Sequence, residues 1–242
     1  MKYSSSKENY VKAIFHLQEI HGLVTTNALA NELQTRPASV TDMLKKLKTQ
    51  KLIIYEKYKG FKLNQEGRKI ALQIVRKHRL WEFFLVEKLG FGWDEVHEIA
   101  EELEHISSVA LVDRLDKFLD YPKSDPHGDP IPDSQGRVVT RVQVDLLQLP
   151  LKKIARVGSI GDQSPEMLEL LTHKNIGLGT RLEIQKKFLF DNSLEVKVES
   201  LSKESRNTEQ GNNKQSKKRV AVKTVVTISE HVAKNVFVTY EE

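Results

Sequence analysis

The chain has 242 residues, of which 39% are hydrophobic and 29% charged, with a net charge of +5 and no cysteine. This length predicts one large domain or two to three small ones, the composition excludes a disordered or fibrous chain, and the lack of cysteine excludes disulfides, zinc–thiolate sites, iron–sulfur clusters and thiol nucleophiles. No apolar run reaches the roughly 18 residues that cross a bilayer, and the N-terminus carries no apolar signal core, so we expect a cytoplasmic chain with no membrane partner.

The charge is unevenly distributed along the chain. Residues 1–75 carry a net charge of +7, whereas residues 76–127 carry −5. A basic head suits a polyanionic partner. The acidic middle suits either cation binding or a solvated acidic face.

Residues 1–72 predict a winged helix-turn-helix domain. Apolar periodicity gives a first helix through Tyr10 and Leu17, a second over 26–33 and a third over 37–50, with only three residues between the last two. Residues 52–63 are rich in β-branched, aromatic and lysine residues around one glycine, which is typical of a hairpin. The third helix would read DNA and the hairpin would be the wing.

Residue types in the third helix and the hairpin suit contacts with double-stranded DNA, because hydroxyl groups reach bases or phosphates and lysines pair with phosphates. A lysine-rich hairpin by itself is equally typical of a protected sheet edge. The helix-turn-helix spacing before it favours DNA. The predicted DNA-binding residues are Arg36, Pro37, Ala38, Ser39, Thr41, Asp42, Lys46, Lys57 and Lys59.

Residues 73–140 predict a helical domain. Two long helices are expected over 65–89 and 94–119, separated by Gly90-Phe91-Gly92, and four prolines within residues 122–132 indicate a boundary. His97, Glu101, Glu104 and His105 share one stripe of the second helix, and His78 with Glu82 form an i, i+4 pair on the first. Such pairs on facing helices build metal sites, but a glutamate-rich stripe opposite a core face is also typical of a solvated surface. The spacing leaves both interpretations open.

Residues 141–242 predict a small β-barrel or SH3-like module. Its β-rich runs are 153–157, 180–185, 194–199, 220–228 and 235–240, with one helix over 164–172. Residues 202–218 contain no apolar side chain and predict a disordered insert. The whole chain is thus expected to be α+β, with an N-terminal winged helix-turn-helix, a central helical dimerisation domain and a C-terminal SH3-like small β-barrel.

Taken in order, these features resemble the diphtheria toxin repressor family of metal-dependent (iron or manganese) transcriptional regulators. The resemblance rests on short stretches that together span residues 8–132, and it is looser in the C-terminal part, where residues 176–180 carry it. The stretches are Glu8-Asn9-Tyr10-Val11, residues 36–47 with the wing 55–60, residues 76–82, residues 96–105 and His127-Gly128-Asp129-Pro130-Ile131-Pro132.

The resemblance implies two metal ions per subunit, Mn(II) or Fe(II), with Zn(II) or Co(II) expected to bind in vitro. The primary site would use Glu101, Glu104, His105 and Asn9, and the ancillary site His78, Glu82 and His97. In longer family members the C-terminal domain donates oxygen ligands to the ancillary site. The comparable residues here are Gln163 and Glu166, which fit a helix cap equally well.

Three proposed or neighbouring metal-site positions differ from those of some or all of the family members that this chain resembles. Asn9 stands where members carry Met or Asp, and Glu101 stands where iron-type members carry Cys. Lys12 replaces the second helix-1 carboxylate of the manganese type. A fused two-metal cluster is therefore not expected, and two separated sites are.

The function implied is that of a metal-activated, sequence-specific repressor of metal uptake, binding a palindromic operator as a homodimer. Metal would fix the DNA-binding head against the central helices, with dimer contacts at Trp81, Phe84, Leu103 and Ile106. Two alternatives are a winged-helix regulator that responds to a non-metal signal and, with less support, a carboxylate/histidine metalloenzyme. The sequence shows no nucleophile motif, so we expect no enzymatic activity.

Overall fold

A computed structural model describes residues 3–57, 59–106, 108–202 and 220–241. The chain divides into two structural units. The first comprises Met1–Phe91, Val96–Asp125 and Pro130–Val139, and the second comprises Gly92–Glu95, Pro126–Asp129 and Thr140–Glu242. No helix among the described residues is long and apolar enough to cross a bilayer.

The first unit begins with a winged helix. Its elements are α1 (Ser5–His21), α2 (Thr26–Glu32), α3 (Pro37–Thr49), β1 (Ile53–Glu56) and β2 (Gly60–Leu63). The α2 helix starts where the Thr25 hydroxyl accepts a hydrogen bond from the Ala28 amide, and α3 starts at Pro37, which needs no amide partner in the first turn. One apolar face of α3, formed by Val40, Leu44 and Leu47, is buried.

Gly60 lets the wing lie directly against the loop before α2. β1 and β2 pair antiparallel, and Phe61 also pairs with Val24 through two backbone hydrogen bonds. A Cβ at Gly60 would lie 2.4 Å from the Val24 carbonyl oxygen, and Gly60 has φ +134°, so a side chain there is excluded by space and by backbone conformation. The wing is therefore fixed to the three-helix core.

The central helices complete the first unit. They are α4 (Gln65–Phe84), which ends in a π-helical turn over Leu85–Leu89, α5 (Val96–Leu103) and α6 (Val109–Phe118). Asn64 caps α4 by accepting from the Gly67 amide. Buried Arg76 of α4 donates to Asp116 of α6 at 2.8 Å, which fastens these two helices together.

The prediction of one helix over 94–119 is wrong, because the chain breaks after Leu103 and restarts at Val109. The Ser108 hydroxyl accepts from the Leu111 amide, so it caps α6 where the sequence pattern suggested a continuous helix. Glu104 and His105 consequently lie in the turn that follows α5.

The second unit is built on one antiparallel sheet of six strands in the order β3-β8-β4-β5-β6-β7. The strands are β3 (Val144–Asp145), β4 (Ile154–Ile160), β5 (Arg181–Lys187), β6 (Leu194–Ser202), β7 (Val220–Ile228) and β8 (Val236–Tyr240). Two helices, α7 (Pro165–His173) and α8 (Glu230–Lys234), accompany the sheet, and Leu168, Leu171 and Val232 contribute to its apolar core.

The expected fold class is confirmed by this architecture together with the relatives described below. The short elements β3 and α8 were missed. The predicted disordered insert falls mainly on residues 203–218, which lie outside the described residues.

Candidate metal centre

The predicted ancillary ligands lie together between α4 and α5. His78 and Glu82 are one turn apart on α4, and His97 is on α5. One potential ligand atom from each of the three lies within 4.8 Å of the others. His78 and Glu82 are buried, whereas the His97 side chain is about half exposed. The arrangement offers two imidazoles and one carboxylate as possible metal ligands, with His97 on the solvent side.

Hydrogen bonds to carboxylates favour the protonated form of both imidazoles in this group. His78 contacts Glu104 through Nδ1 at 2.7 Å and Glu82 through Nε2 at 2.9 Å. Burial alone lowers the pKa of His78, but these two carboxylates outweigh it and raise the pKa above its ordinary value. Hydrogen bonds to Glu101 and Glu82 raise the pKa of His97 to about 9. A divalent cation would therefore have to displace protons to bind here.

The predicted primary ligands lie on α1, on α5 and in the turn after α5. Unlike the ancillary three, Glu101, Glu104 and His105 do not bring one ligand atom each within 4.8 Å of the others. The Glu104 side chain is fully buried and the His105 side chain is 19% exposed, while the Glu101 side chain is about half exposed. The solvated-surface interpretation is thus wrong for Glu104. The hydrogen bond from His97 holds the pKa of Glu101 at about 2, so that carboxylate is ionised.

Two buried oxygens of this group accept no hydrogen bond from any described residue. They are Oδ1 of Asn9 on α1 and Oε1 of Glu104. A buried oxygen without a donor costs about 1–3 kcal/mol, so native proteins seldom leave one unless it contacts an ion, a ligand or an ordered water. Both oxygens belong to predicted ligands of the same ion. The residues present therefore fit a cation at this position.

Two residues of α1, Lys12 and Glu8, contact the other predicted primary ligands. Lys12 Nζ donates to Glu101 Oε1 at 3.0 Å and to Glu104 Oε2 at 2.8 Å. Glu8 Oε2 accepts a hydrogen bond from His105 Nδ1 at 2.8 Å and lies 3.7 Å from Lys77 Nζ. Sequence reasoning noted Lys12 only as a missing carboxylate and did not select Glu8. Lys12 lies three residues after Asn9 and so shares its helix face, but no local pattern indicated its partners or selected Glu8.

The two predicted sites are in direct contact. His78, an ancillary residue, bonds to Glu104, a primary residue, and His97 Nε2 lies 3.5 Å from Glu101. The expectation of two separated sites therefore needs refinement, because the ligand sets are separate but share hydrogen bonds. A change at one set would be transmitted to the other through these pairs.

The predicted DNA-binding residues lie on one exposed part of the winged helix. Arg36, the exposed residues of α3 and the wing lysines Lys57 and Lys59 are all solvent-accessible. Thr41 also donates its hydroxyl to the Pro37 carbonyl. Since Val40, Leu44 and Leu47 are buried, the opposite side of α3 is the one available to a partner. The exposed α3 residues include the predicted DNA contacts Pro37, Ala38, Ser39, Thr41, Asp42 and Lys46.

The two predicted oxygen donors, Gln163 and Glu166, belong to the second unit. The Gln163 amide donates to Asp129 Oδ2 at 3.4 Å and to the Ile160 carbonyl at 3.3 Å. Glu166 lies in the first turn of α7, where a carboxylate also suits the helix dipole. Their role as ligands stays a prediction.

Comparison with known proteins identifies the family. Residues 2–61 match the family model of the iron dependent repressor N-terminal DNA binding domain, and residues 64–133 match that of the iron dependent repressor metal binding and dimerisation domain. The HTH-type transcriptional regulator MntR of Oceanobacillus iheyensis is 37% identical over 120 residues, which are 50% of this chain and 81% of the relative. The chain belongs to the iron-dependent repressor family. MntR of Bacillus subtilis is 34% identical over 120 residues, with 50% of this chain and 84% of the relative covered.

Solved structures of this family extend the similarity to the C-terminal unit. One, described as a manganese-dependent transcriptional repressor in complex with manganese, is similar over 97% of this chain and 100% of its own, with a TM-score of 0.79 and 31% identity. ScaR with bound Cd²⁺ is similar over 97% of this chain and 99% of its own, with a TM-score of 0.74 and 28% identity.

Family membership confirms the expected class of function. The family consists of metal-dependent, DNA-binding transcriptional repressors, so the prediction of a metal-activated regulator is confirmed, and so is the prediction that it is not an enzyme. The matched domains also indicate DNA and a second copy of the chain as partners.

Proposed function

We propose that Mn(II) is the activating ion of this repressor and that each subunit takes two divalent ions. The observation that carries the proposal is the pair of buried oxygens, Asn9 Oδ1 and Glu104 Oε1, that accept no hydrogen bond from the described residues. Relatives named MntR and a similar structure that contains manganese support the choice of metal.

The primary ion would be held by Asn9, Glu101, Glu104 and His105. These ligands come from α1 of the winged helix and from the end of α5 and the turn after it. When bound, a divalent cation would neutralise the clustered carboxylates and bond to ligands from both elements. Asn9 would thereby fix α1 against the central helices. Because ligands from both elements are needed, metal favours the arrangement in which the two are fixed, which is how it shifts the population towards DNA binding.

The ancillary ion would be held by His78, Glu82 and His97, all of the first unit. His78 must release its hydrogen bond to Glu104 or to Glu82 before one of its nitrogens can bind a metal. If Nδ1 of His78 binds the metal, its bond to Glu104 would be lost. If Nε2 binds the metal, the bond to Glu104 would connect the metal-bound ring to the primary site. This contact gives the two sites a physical basis for coupling.

The donor set explains the preference among metals. Carboxylate, carboxamide and imidazole donors without thiolate suit Mn(II) and Fe(II), of which Fe(II) is the second candidate effector. Zn(II) and Co(II) would bind in vitro because affinity rises later in the first-row series. Mn(II) would then be selected by ligand geometry and by cellular availability.

The DNA partner would be a palindromic operator read by two copies of α3. A symmetric dimer presents two recognition helices, so its half-sites are related by the same two-fold symmetry. Ser39 and Thr41 would contact bases or phosphates, and Lys57 and Lys59 would contact phosphates; the exposure of all four side chains supports this. The regulated genes would include those for uptake of the activating metal.

Fluorescence anisotropy tests the proposal. The chelator-stripped full chain is titrated onto labelled duplex from the region upstream of its own gene, with Mn(II), with Fe(II) and with chelator. We expect specific binding with metal, at the lowest free concentration for Mn(II). Equally tight binding under chelation would refute metal activation and favour a regulator that responds to another signal.

A further inference from the structure

Lys12 contacts two of the carboxylates proposed to hold the primary ion. It is on α1, three residues after Asn9 and therefore on the same helix face. Its side chain is only 12% exposed, and its ammonium group contacts Glu101 at 3.0 Å and Glu104 at 2.8 Å. Both of its recorded partners are carboxylates proposed to hold the metal.

A protonated lysine cannot replace a metal ligand, because its ammonium group has no lone pair to donate. It can supply the positive charge that two neighbouring carboxylates require. The Glu104 side chain is fully buried, and a buried carboxylate needs such a partner. An ammonium group that neutralises these carboxylates also repels a divalent ion that approaches them.

We propose that Lys12 is an internal competitor of the metal, which holds Glu101 and Glu104 in the metal-free protein and weakens Mn(II) binding at the primary site. The inference rests on the proposed function and deepens it. It states that Lys12 determines the metal concentration at which the repressor responds. Metal binding then exchanges the lysine salt bridges for metal–carboxylate bonds. A site with a neutral Asn9 and a cationic Lys12 responds only at a higher free metal concentration than the same ligands without the lysine.

Mn(II) binding to the purified full chain tests this directly. Free aqueous Mn(II) is counted by its EPR signal during titration of chelator-stripped protein, with no DNA present. His105→Ala identifies the primary ion, since that ion should be lost in this variant. Lys12→Met removes the charge and keeps much of the side-chain volume, whereas Lys12→Arg keeps the charge.

We expect Lys12→Met to tighten binding of the primary ion at least about tenfold, because a unit charge a few ångströms from a divalent ion is worth that much even when partly screened. Lys12→Arg should stay within about threefold of the parent protein. Lys62→Met is the matched control, since Lys62 forms a similar salt bridge with Glu56 on the wing at 2.7 Å, and it should leave Mn(II) affinity unchanged.

If Lys12→Met weakens folding, a second variant and a second measurement still test the proposal. Lys12→Gln retains a hydrogen-bonding side chain without the charge. The rise in Tm that a fixed Mn(II) concentration produces, relative to the same variant without metal, reports affinity independently of the starting stability. This rise should be larger in Lys12→Gln than in the parent protein.

The outcomes separate this inference from the proposed function. If His105→Ala loses one ion but both neutral Lys12 variants bind Mn(II) no more tightly than the parent, the competitor role is refuted and the primary site stands. If His105→Ala keeps both ions at unchanged affinity, the primary-site assignment fails and the role of Lys12 fails with it.

Discussion

Glu8 Oε2 accepts a hydrogen bond from His105 Nδ1 at 2.8 Å, so one carboxylate of α1 holds an imidazole that follows α5. The two residues are 97 positions apart in sequence. In a neutral ring, this bond places the proton on Nδ1 and leaves Nε2 with its lone pair. Metal-binding histidines commonly have their second nitrogen held in this way.

Replacing Glu8 should therefore weaken metal binding without removing a ligand. In Glu8→Gln the amide can donate as well as accept, so the His105 tautomer is no longer fixed. We expect the affinity for the primary Mn(II) ion to fall about tenfold or more. Titration gives the affinity, and ¹⁵N NMR of the metal-free protein should show the ring of His105 as a mixture of tautomers. Glu19→Gln is the control on the same helix, since Glu19 pairs with Arg68. A single unchanged tautomer in Glu8→Gln would contradict this role.

Metal binding at the ancillary site should strengthen as the pH rises. The pKa of His97 is raised to about 9, so this ring is protonated at neutral pH and must lose its proton to bind a metal. Affinity should increase from pH 6.5 towards pH 9 and then level off as the ring becomes neutral without metal. Calorimetry in buffers of different ionisation enthalpy should show proton release on Mn(II) binding.

Two histidine variants control for that pH dependence. His97→Ala should lose the ancillary ion and the associated proton release, whereas exposed His173→Ala should behave as the parent protein. Mn(II) affinity that is independent of pH between 6.5 and 9 would argue against His97 as a ligand.

The wing should contribute electrostatic affinity without sequence discrimination. Lys59 is exposed beside the tip of the hairpin, where it is placed for a phosphate. Lys59→Ala should weaken binding to operator and unrelated duplex alike and should reduce the slope of log affinity against log salt by about one. Lys234→Ala, a lysine paired with Glu230 on α8, is the control. An unchanged salt slope in Lys59→Ala would remove the wing from the interface.

The α6 helix should supply apolar contacts of the dimer. Phe118 is 65% exposed in the single chain, packs against Phe84 and lies in the matched metal binding and dimerisation domain. Phe118→Glu should raise the dimer dissociation constant by a factor of about 30 or more, as expected for an aromatic anchor. Sedimentation velocity measures the dissociation. Phe190→Glu, at a fully exposed phenylalanine of the second unit, should leave the dimer intact. A stable Phe118→Glu dimer would place the contact elsewhere.

Local sequence patterns were sufficient to predict most of the helices and strands. The apolar periodicity at Tyr10 and Leu17 lies within α1, and Pro37 marks the start of α3, because both signals act within a few residues. The break before α6 was missed because the Ser108 cap competes with an apolar stripe that continues through it. The two-residue strand β3 was missed because its pairing with β8 is entirely tertiary.

In the metal centre, too, local sequence patterns predicted some features, whereas tertiary contacts determined the others. The histidine and glutamate spacings on α4 and α5 indicated the ligands, because helical periodicity places them on one face. The contacts that α1 makes through Glu8 and Lys12 join residues 89 to 97 positions apart, and no local pattern encodes them. The burial of Glu104 likewise results from packing against α1 and α4, so the sequence alone left a solvated stripe as an alternative.

The central claim is that a metal held by Glu104 and His105 activates DNA binding. Fluorescence anisotropy of operator binding, with and without Mn(II), tests it most directly on the parent protein, Glu104→Ala and His105→Ala. We predict that Mn(II) promotes binding by the parent protein alone, while both variants remain folded dimers by circular dichroism and sedimentation. Mn(II)-dependent binding of either variant with the affinity of the parent protein would contradict the account.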